Sequence, residues 1–173
     1  MARKLQTRIT HLQMTEPSGW HQPAPLKPRL ALMCAAKIPL SFYRYLYEQV
    51  GKPHHWSLRR NLDDESLAQQ VHAETTRIHI LYADGSPAGF FELDRSGLPH
   101  CSEIVYLGLV PEFQGLGLGR FLLSEAIVAA WEERPGCIRI QTNTLDNPRA
   151  LGLYQLAGFV PCAWEEDEIE AWE

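Results

Sequence analysis

The sequence contains no apolar run approaching the roughly 18 residues that a membrane-crossing helix needs, so no membrane partner is expected. Its first ten residues, MARKLQTRIT, carry basic side chains but lack the apolar core of a secretion signal, which leads to an expected cytoplasmic location. Four cysteines, at positions 34, 101, 137 and 162, stand alone without a CxxC pair; this argues against zinc ligands and for reduced thiols. His54 and His55 are adjacent, a poor geometry for one metal, and no carboxylate cluster joins them, so no metal site is expected. There is no internal repeat and no sign of a second domain. A broad positive charge is missing as well. Residues 165–173, EEDEIEAWE, hold six of the 21 acidic residues and no basic ones, so the remaining 15 nearly balance the 16 lysines and arginines. A nearly neutral body offers no electrostatic footprint for nucleic acid. The acidic tail reads as a solvated terminus, or as a guide for a cationic substrate.

What is present is enough for a core: 173 residues, 45% hydrophobic and 21% charged. Alternation and β-branching mark strands at 6–14, 29–35, 77–83, 88–94, 102–110 and 137–143, with a last short strand at 159–164. Residues 16–28 hold four prolines and read as an irregular loop. Helices are expected over 39–52 and over 63–74, the latter acidic at its start. A further helix carries Leu123, Ala126, Ile127, Ala130 and Trp131 on one stripe. A short helix over 148–157 follows, capped by Asn147, with Pro148 in its first turn and Gly158 at its end. Strands first and then β–α–β–α–β make a mixed α/β sheet in one domain over 1–173.

Between the most apolar strand and the next helix lies QGLGLG, residues 114–119. Glycines at a strand-to-helix junction let a phosphate approach outward-pointing amides with a positive helix dipole behind them. Two familiar phosphate loops fail on spacing. Positions 115, 117 and 119 give G-x-G-x-G where a dinucleotide fingerprint needs G-x-G-x-x-G, and Arg120 and Phe121 stand where a Walker A loop needs Lys and Ser or Thr.

Gln114, Gly117 and Gly119 form Q-x-x-G-x-G, which resembles the acyl-CoA-binding loop of the GNAT N-acetyltransferase superfamily. Asn147, Ala150, Tyr154, Gly158 and Phe159 form N-x-x-A-x-x-x-Y-x-x-x-G-F, similar to that superfamily's second cofactor motif. Upstream, Glu103 precedes Gln114 by eleven positions, as a glutamate does in the histone acetyltransferase branch. The resemblance covers about residues 76–164; residues 1–75 depart from it and would shape the acceptor side, and 165–173 form the acidic tail. It implies a twisted, mostly antiparallel sheet, flanked by helices, in which two parallel strands splay apart around coenzyme A. The cofactor residues it implies are Leu109, Val110 and Pro111 for the pantetheine arm. The amides of Gly115, Leu116, Gly117, Leu118 and Gly119, with Gln114 and Arg120, would serve the pyrophosphate, and Asn147 and Tyr154 the second motif.

The implied chemistry is attack of an amine on the thioester of acetyl-CoA. A free amine has a pKa near 10, so a base or a desolvated site must take its proton. Glu103, at the start of an apolar strand, is the first candidate base. Glu92 is the second; pairing Asp94 with Cys101 would set it opposite Glu103. The resemblance assigns the oxyanion to the Leu109 N–H and the thiolate's proton to Tyr154. The acceptor is a small-molecule or peptide amine, and the protein a monomer or homodimer. Two other classes stay open: a coenzyme A-binding module without turnover, and an enzyme for a longer acyl-CoA, for which the small Gly108 leaves room.

Overall fold

In the strand FFELD, Phe90 and Phe91 are neighbours in sequence, yet both are fully buried. Alternation across a strand sends such neighbours to opposite faces, so the sheet holding them must be covered on both sides. The computed structural model, which describes residues 3–173, has this layout. Its elements are β1 (Lys4–Met14), β2 (Leu30–Cys34), α1 (Leu40–Gly51), α2 (Asp64–Val71), β3 (Thr76–Ala83), β4 (Ser86–Asp94) and β5 (Cys101–Leu109). There follow α3 (Leu118–Trp131), β6 (Cys137–Asn143), α4 (Ala150–Ala157) and β7 (Val160–Glu170). The seven strands form one mixed sheet in the order β2-β3-β4-β5-β6-β1-β7. Every neighbouring pair is antiparallel except β5 and β6. Phe90 packs with Tyr43, Leu46, Tyr47 and Leu67 of α1 and α2 on one face. Phe91 packs with Leu122, Leu123 and Ala126 of α3 and with Tyr154 and Ala157 of α4 on the other. Among the described residues no helix is long and apolar enough to cross a membrane.

The proline-rich segment crosses the α3–α4 layer on its way from β1 to β2, at the far edge of the sheet. Ser18 Oγ donates to Ala157 O at 2.6 Å, and Gln22 N–H donates to Ser124 Oγ at 3.0 Å. Prolines suit a path that makes few backbone bonds of its own.

Four expectations are corrected. The acidic tail is not a free terminus: residues 165–170 continue β7 against the first half of β1, and Lys4–Glu168 (2.6 Å) and Arg8–Glu166 (2.8 Å) pair across the two strands. The short helix starts at Ala150, two residues late, with Arg149 at its cap position; Asn147 Oδ1 instead accepts from Arg149 N–H at 3.0 Å, closing the preceding turn. The β4–β5 register pairs Asp94 with Glu103, not Cys101, because the connection is longer, and Val105, an extra residue in β5, then sets Glu92 opposite Tyr106 instead of Glu103. Cys101 and Cys137, 36 residues apart, face each other across the parallel strands and are disulfide-bonded, whereas Cys34 and Cys162 are free.

Gly158 ends α4 at φ 110°, and a Cβ there would lie 2.5 Å from Ser18 Cβ. Gly158→Ala combines a forbidden backbone region with a collision against a hydrogen-bonded residue. It should lower unfolding free energy by about 3 kcal/mol, read by urea denaturation, while Gly152→Ala, which meets nothing, should not.

Candidate functional site

Parallel pairing between β5 and β6 runs only from Cys101–Cys137 to Ile104–Ile140. Beyond it β6 stays paired with β1, through Asn143, and β5 stays paired with β4, through Leu109. The strands therefore part, and residues 105–109 of β5 present a bare edge toward β6. Val110 N–H donates to Ala88 O at 2.8 Å. In an antiparallel ladder bonded and non-bonded pairs alternate, so Leu109 opposite Gly89 and Leu107 opposite Phe91 turn their N–H and C=O groups away from β4. Both residues thus aim an amide into the fork. Leu109 was expected there; Leu107 was not, because only the register reveals it. Val110 differs from the expectation: its amide is taken by Ala88 and its side chain is buried on the α1–α2 face.

The end of β5 leads through a short turn, Pro111–Phe113, into the glycine loop and α3. Gly115 (φ 77°) and Gly117 (φ 79°) hold left-handed conformations and face open space, so the turn itself, not packing, requires glycine there. Gly117 is the N-cap of α3 and supplies no side-chain cap. Among the described residues, the amides of Gly115 to Gly119 make no hydrogen bond outside the helix. Gln114, Leu116 and Arg120 are exposed, and Arg120 has no carboxylate partner among the described residues. Gly119 abuts Leu109, closing the loop onto the mouth of the fork. The result is a set of bare N–H donors with a helix dipole behind them, suited to a phosphate anion.

Glu103 lies at the closed end of the fork, one residue before the last β5–β6 pair, flanked by Asp94 on β4 and Arg139 on β6. It is half-buried. Burial first, and then the Asp94 charge, push its carboxyl above the ordinary value of 4.5, against Arg139 and His11. Glu92 occupies another place. It pairs with Tyr106, is 1% exposed, and accepts from Tyr43 O–H at 2.8 Å. Arg59 Nη1 donates both to its other oxygen and to Tyr43 Oη, while Arg59 Nε donates to Gln70 at 2.9 Å. The guanidinium lies over the Tyr106 ring at 5.0 Å. Burial, opposed by Arg59, holds the Glu92 carboxyl above its ordinary value, and Arg59 stays charged. Each oxygen of Glu92 thus carries a structural donor. Arg59 lies in irregular chain, so no periodicity in the sequence could have announced it.

Tyr154 is buried against Phe159 beneath α4. Burial and the Asp146 charge raise its pKa, so the phenol keeps its proton. His54 Nδ1–H donates to Leu145 O at 3.2 Å, and Trp172 N–H donates to His55 Nδ1 at 3.0 Å. The two histidines thus tie the end of α1 to the loop after β6 and to the C-terminal residues. Gly108 offers no free room: a Cβ there would collide with Val50 Cγ1 of α1.

The model of the "Acetyltransferase (GNAT) family" matches residues 41–159. A comparison with curated proteins gives no match. Among solved structures, the chain is similar to a GCN5-related N-acetyltransferase from Kribbella flavida (TM-score 0.62, 15% identity, covering 95% of this chain and 58% of that one). It is also similar to a putative GNAT-family acetyltransferase from Novosphingobium aromaticivorans (TM-score 0.63, 14% identity, 99% and 68%). A third is a tandem GNAT protein from the clavulanic acid biosynthesis pathway (TM-score 0.60, 16% identity, 96% and 54%). This chain therefore spans little more than half the length of the first and third of these.

The Glu92–Arg59 pair yields a stability test. Arg59→Met leaves a buried carboxylate without its cation and should cost about 3–5 kcal/mol. Glu92 would then hold a proton more tightly folded than unfolded, so the loss should grow from pH 5 to pH 8 in urea titrations. Adding Glu92→Gln should remove that pH dependence.

Proposed function

The chain belongs to the acetyltransferase (GNAT) family, and from that premise we propose that it transfers an acetyl group from acetyl-CoA to a primary amine by direct attack in a ternary complex. The observation that carries this reading is the bare edge of β5, with the amides of Leu107 and Leu109 turned into a fork that ends at an uncapped, glycine-bearing helix start. That donor set fits the group: strand-edge amides suit a linker rich in amide bonds, and the loop amides suit a pyrophosphate.

When bound, acetyl-CoA supplies an acyl group activated as a thioester. The amides of Gly115 to Gly119 bind the pyrophosphate oxygens, Gln114 lines their approach, and Arg120 adds a charge-assisted contact. The β5 edge at Leu107 and Leu109, with Pro111 just beyond it, aligns the pantetheine arm. The Leu109 N–H polarises the acyl carbonyl oxygen; one such donor is worth on the order of 100-fold in rate. Glu103 takes the proton of the incoming ammonium, its raised pKa bringing it closer to the amine's. Tyr154, which keeps its proton, would give it to the departing sulfur and recover one from the nitrogen of the new amide, so that the single proton released leaves through Glu103. Asn147 shapes the turn that leads into α4 and Tyr154. Glu92 is not the base in this scheme, because Arg59 and Tyr43 hold both of its oxygens.

A base must be ionised to act, so a raised carboxyl pKa moves the acidic limb of the kcat/KM profile upward, above pH 4.5. Glu103→Gln should remove that limb and lower kcat by about 100-fold or more, while coenzyme A binding by calorimetry stays within about twofold. An unchanged kcat would reject Glu103 as the base. Gly117→Val should abolish coenzyme A binding in the same calorimeter, since it fills the loop and forces a left-handed turn on a β-branched residue.

A further inference from the structure

The guanidinium groups on the α1–α2 face are not all used by the fold. A cavity of about 130 Å³ opens there, its walls including Arg44, Tyr47, Glu48, Arg59, Arg60 and Trp172. Arg44 donates to Leu62 O at 2.8 Å and to Asp64 at 2.7 Å. Arg59 is committed to Glu92, Tyr43 and Gln70. Arg60 has no such commitment. Its side chain is 9% exposed, and its closest carboxylate is Glu170, 3.8 Å away and beyond hydrogen-bond reach. Among the described residues its Nη1 is buried without a partner. One face of its guanidinium is covered by the Trp172 ring at 5.7 Å. A planar fork of five N–H donors is rarely buried without acceptors.

We propose that Arg60 binds a carboxylate group carried by the amine acceptor, so that the substrate class is a small amino acid or similar carboxylate-bearing amine. A carboxylate matches the fork with two parallel bonds. Phosphate fits worse, because its second negative charge would stand near Glu170 and the unpaired Glu48 on the cavity wall. The cavity is linked to the fork strand through one side chain. Arg59, on its wall, covers Tyr106, which sits on β5 between Glu103 and Leu109. This assignment rests on the acetyl-transfer reading for its substrate role, but not for its ligand.

The test has two arms on the full chain. In the first, thiol release from acetyl-CoA is measured with amino acids and with the matching carboxamides. The acids should be preferred by about tenfold or more in kcat/KM, through KM, and Arg60→Gln should erase the preference while the KM for acetyl-CoA holds. Carboxamides used as well as acids, or a preference that survives in Arg60→Gln, would overturn the proposal. In the second arm, two-dimensional 1H–15N NMR follows the Trp172 indole N–H, assigned with Trp172→Phe, during titration with propionate or propionamide. Propionate alone should move the signal, and Arg60→Gln and Arg60→Lys should both abolish the shift. A folded wild type that does not respond to propionate sinks the site. Absence of turnover with every amine, beside a propionate response, would instead sink the acetyl-transfer reading and leave the carboxylate site standing.

Discussion

A parallel strand pair that pairs for four residues and then separates is the constraint on which the site depends. Backbone N–H and C=O groups withdrawn from a partner must find another, and an exposed strand edge is a standing invitation to one. Here β5 is anchored by β4 on one side and β6 by β1 on the other, so neither strand can swing back to close the opening. The extra residue at Val105 increases local twist where the strands begin to diverge. The disulfide between Cys101 and Cys137 fixes the closed end. The opening is therefore maintained by the sheet on both flanks, and the glycine loop needs only to meet it.

The two faces of the sheet carry different physics. The α3–α4 face is nearly all aliphatic and aromatic, with Tyr154 among its few polar tips. The α1–α2 face mixes aromatic rings with buried charge: Tyr43, Tyr47, Trp56, Tyr106 and Trp172 surround Arg59 and Arg60. Such a layer is satisfied only when each donor has its acceptor in place. Glu92 is the acceptor that fixes Arg59, and through it the irregular segment 55–62 is held over the sheet. Burial that would make a free carboxylate reactive here makes a structural one.

Much of this was legible in the sequence, for identifiable reasons. The alternating strands and the α3 stripe follow from periodicity alone, and the loop at 114–119 follows from glycine spacing together with its neighbours. Glu103 also falls on β5, within the strand expected over 102–110. What could not be read depends on contacts between distant segments. Glu92 pairs with Tyr106 only because one residue of β5 is extra, which no pattern in CSEIVYLGL signals. Arg59 and Arg60 sit in a stretch without period, so their convergence on one cavity was invisible. The acidic tail looked like a solvated end because its partners, Lys4 and Arg8, lie more than 150 residues away. Part of its charge is a cross-strand complement to β1.

The strand order has a kinetic meaning. β1 is near the start of the chain, yet its only sheet neighbours are β6 and β7, so every ladder bond it makes spans more than 120 residues. On a ribosome β1 would emerge long before β6 and β7 and wait unpaired until they had followed it. Closing so long a loop is slow, and an unpaired β-prone segment is open to wrong partners in the interval. Basic and polar residues spaced along KLQTRITHLQM make that wait less hazardous, because they disfavour self-association. Insertion of this strand, with Leu12 and Met14 entering the core, is thereby the natural last event of assembly, and it completes the flank that keeps β6 away from β5.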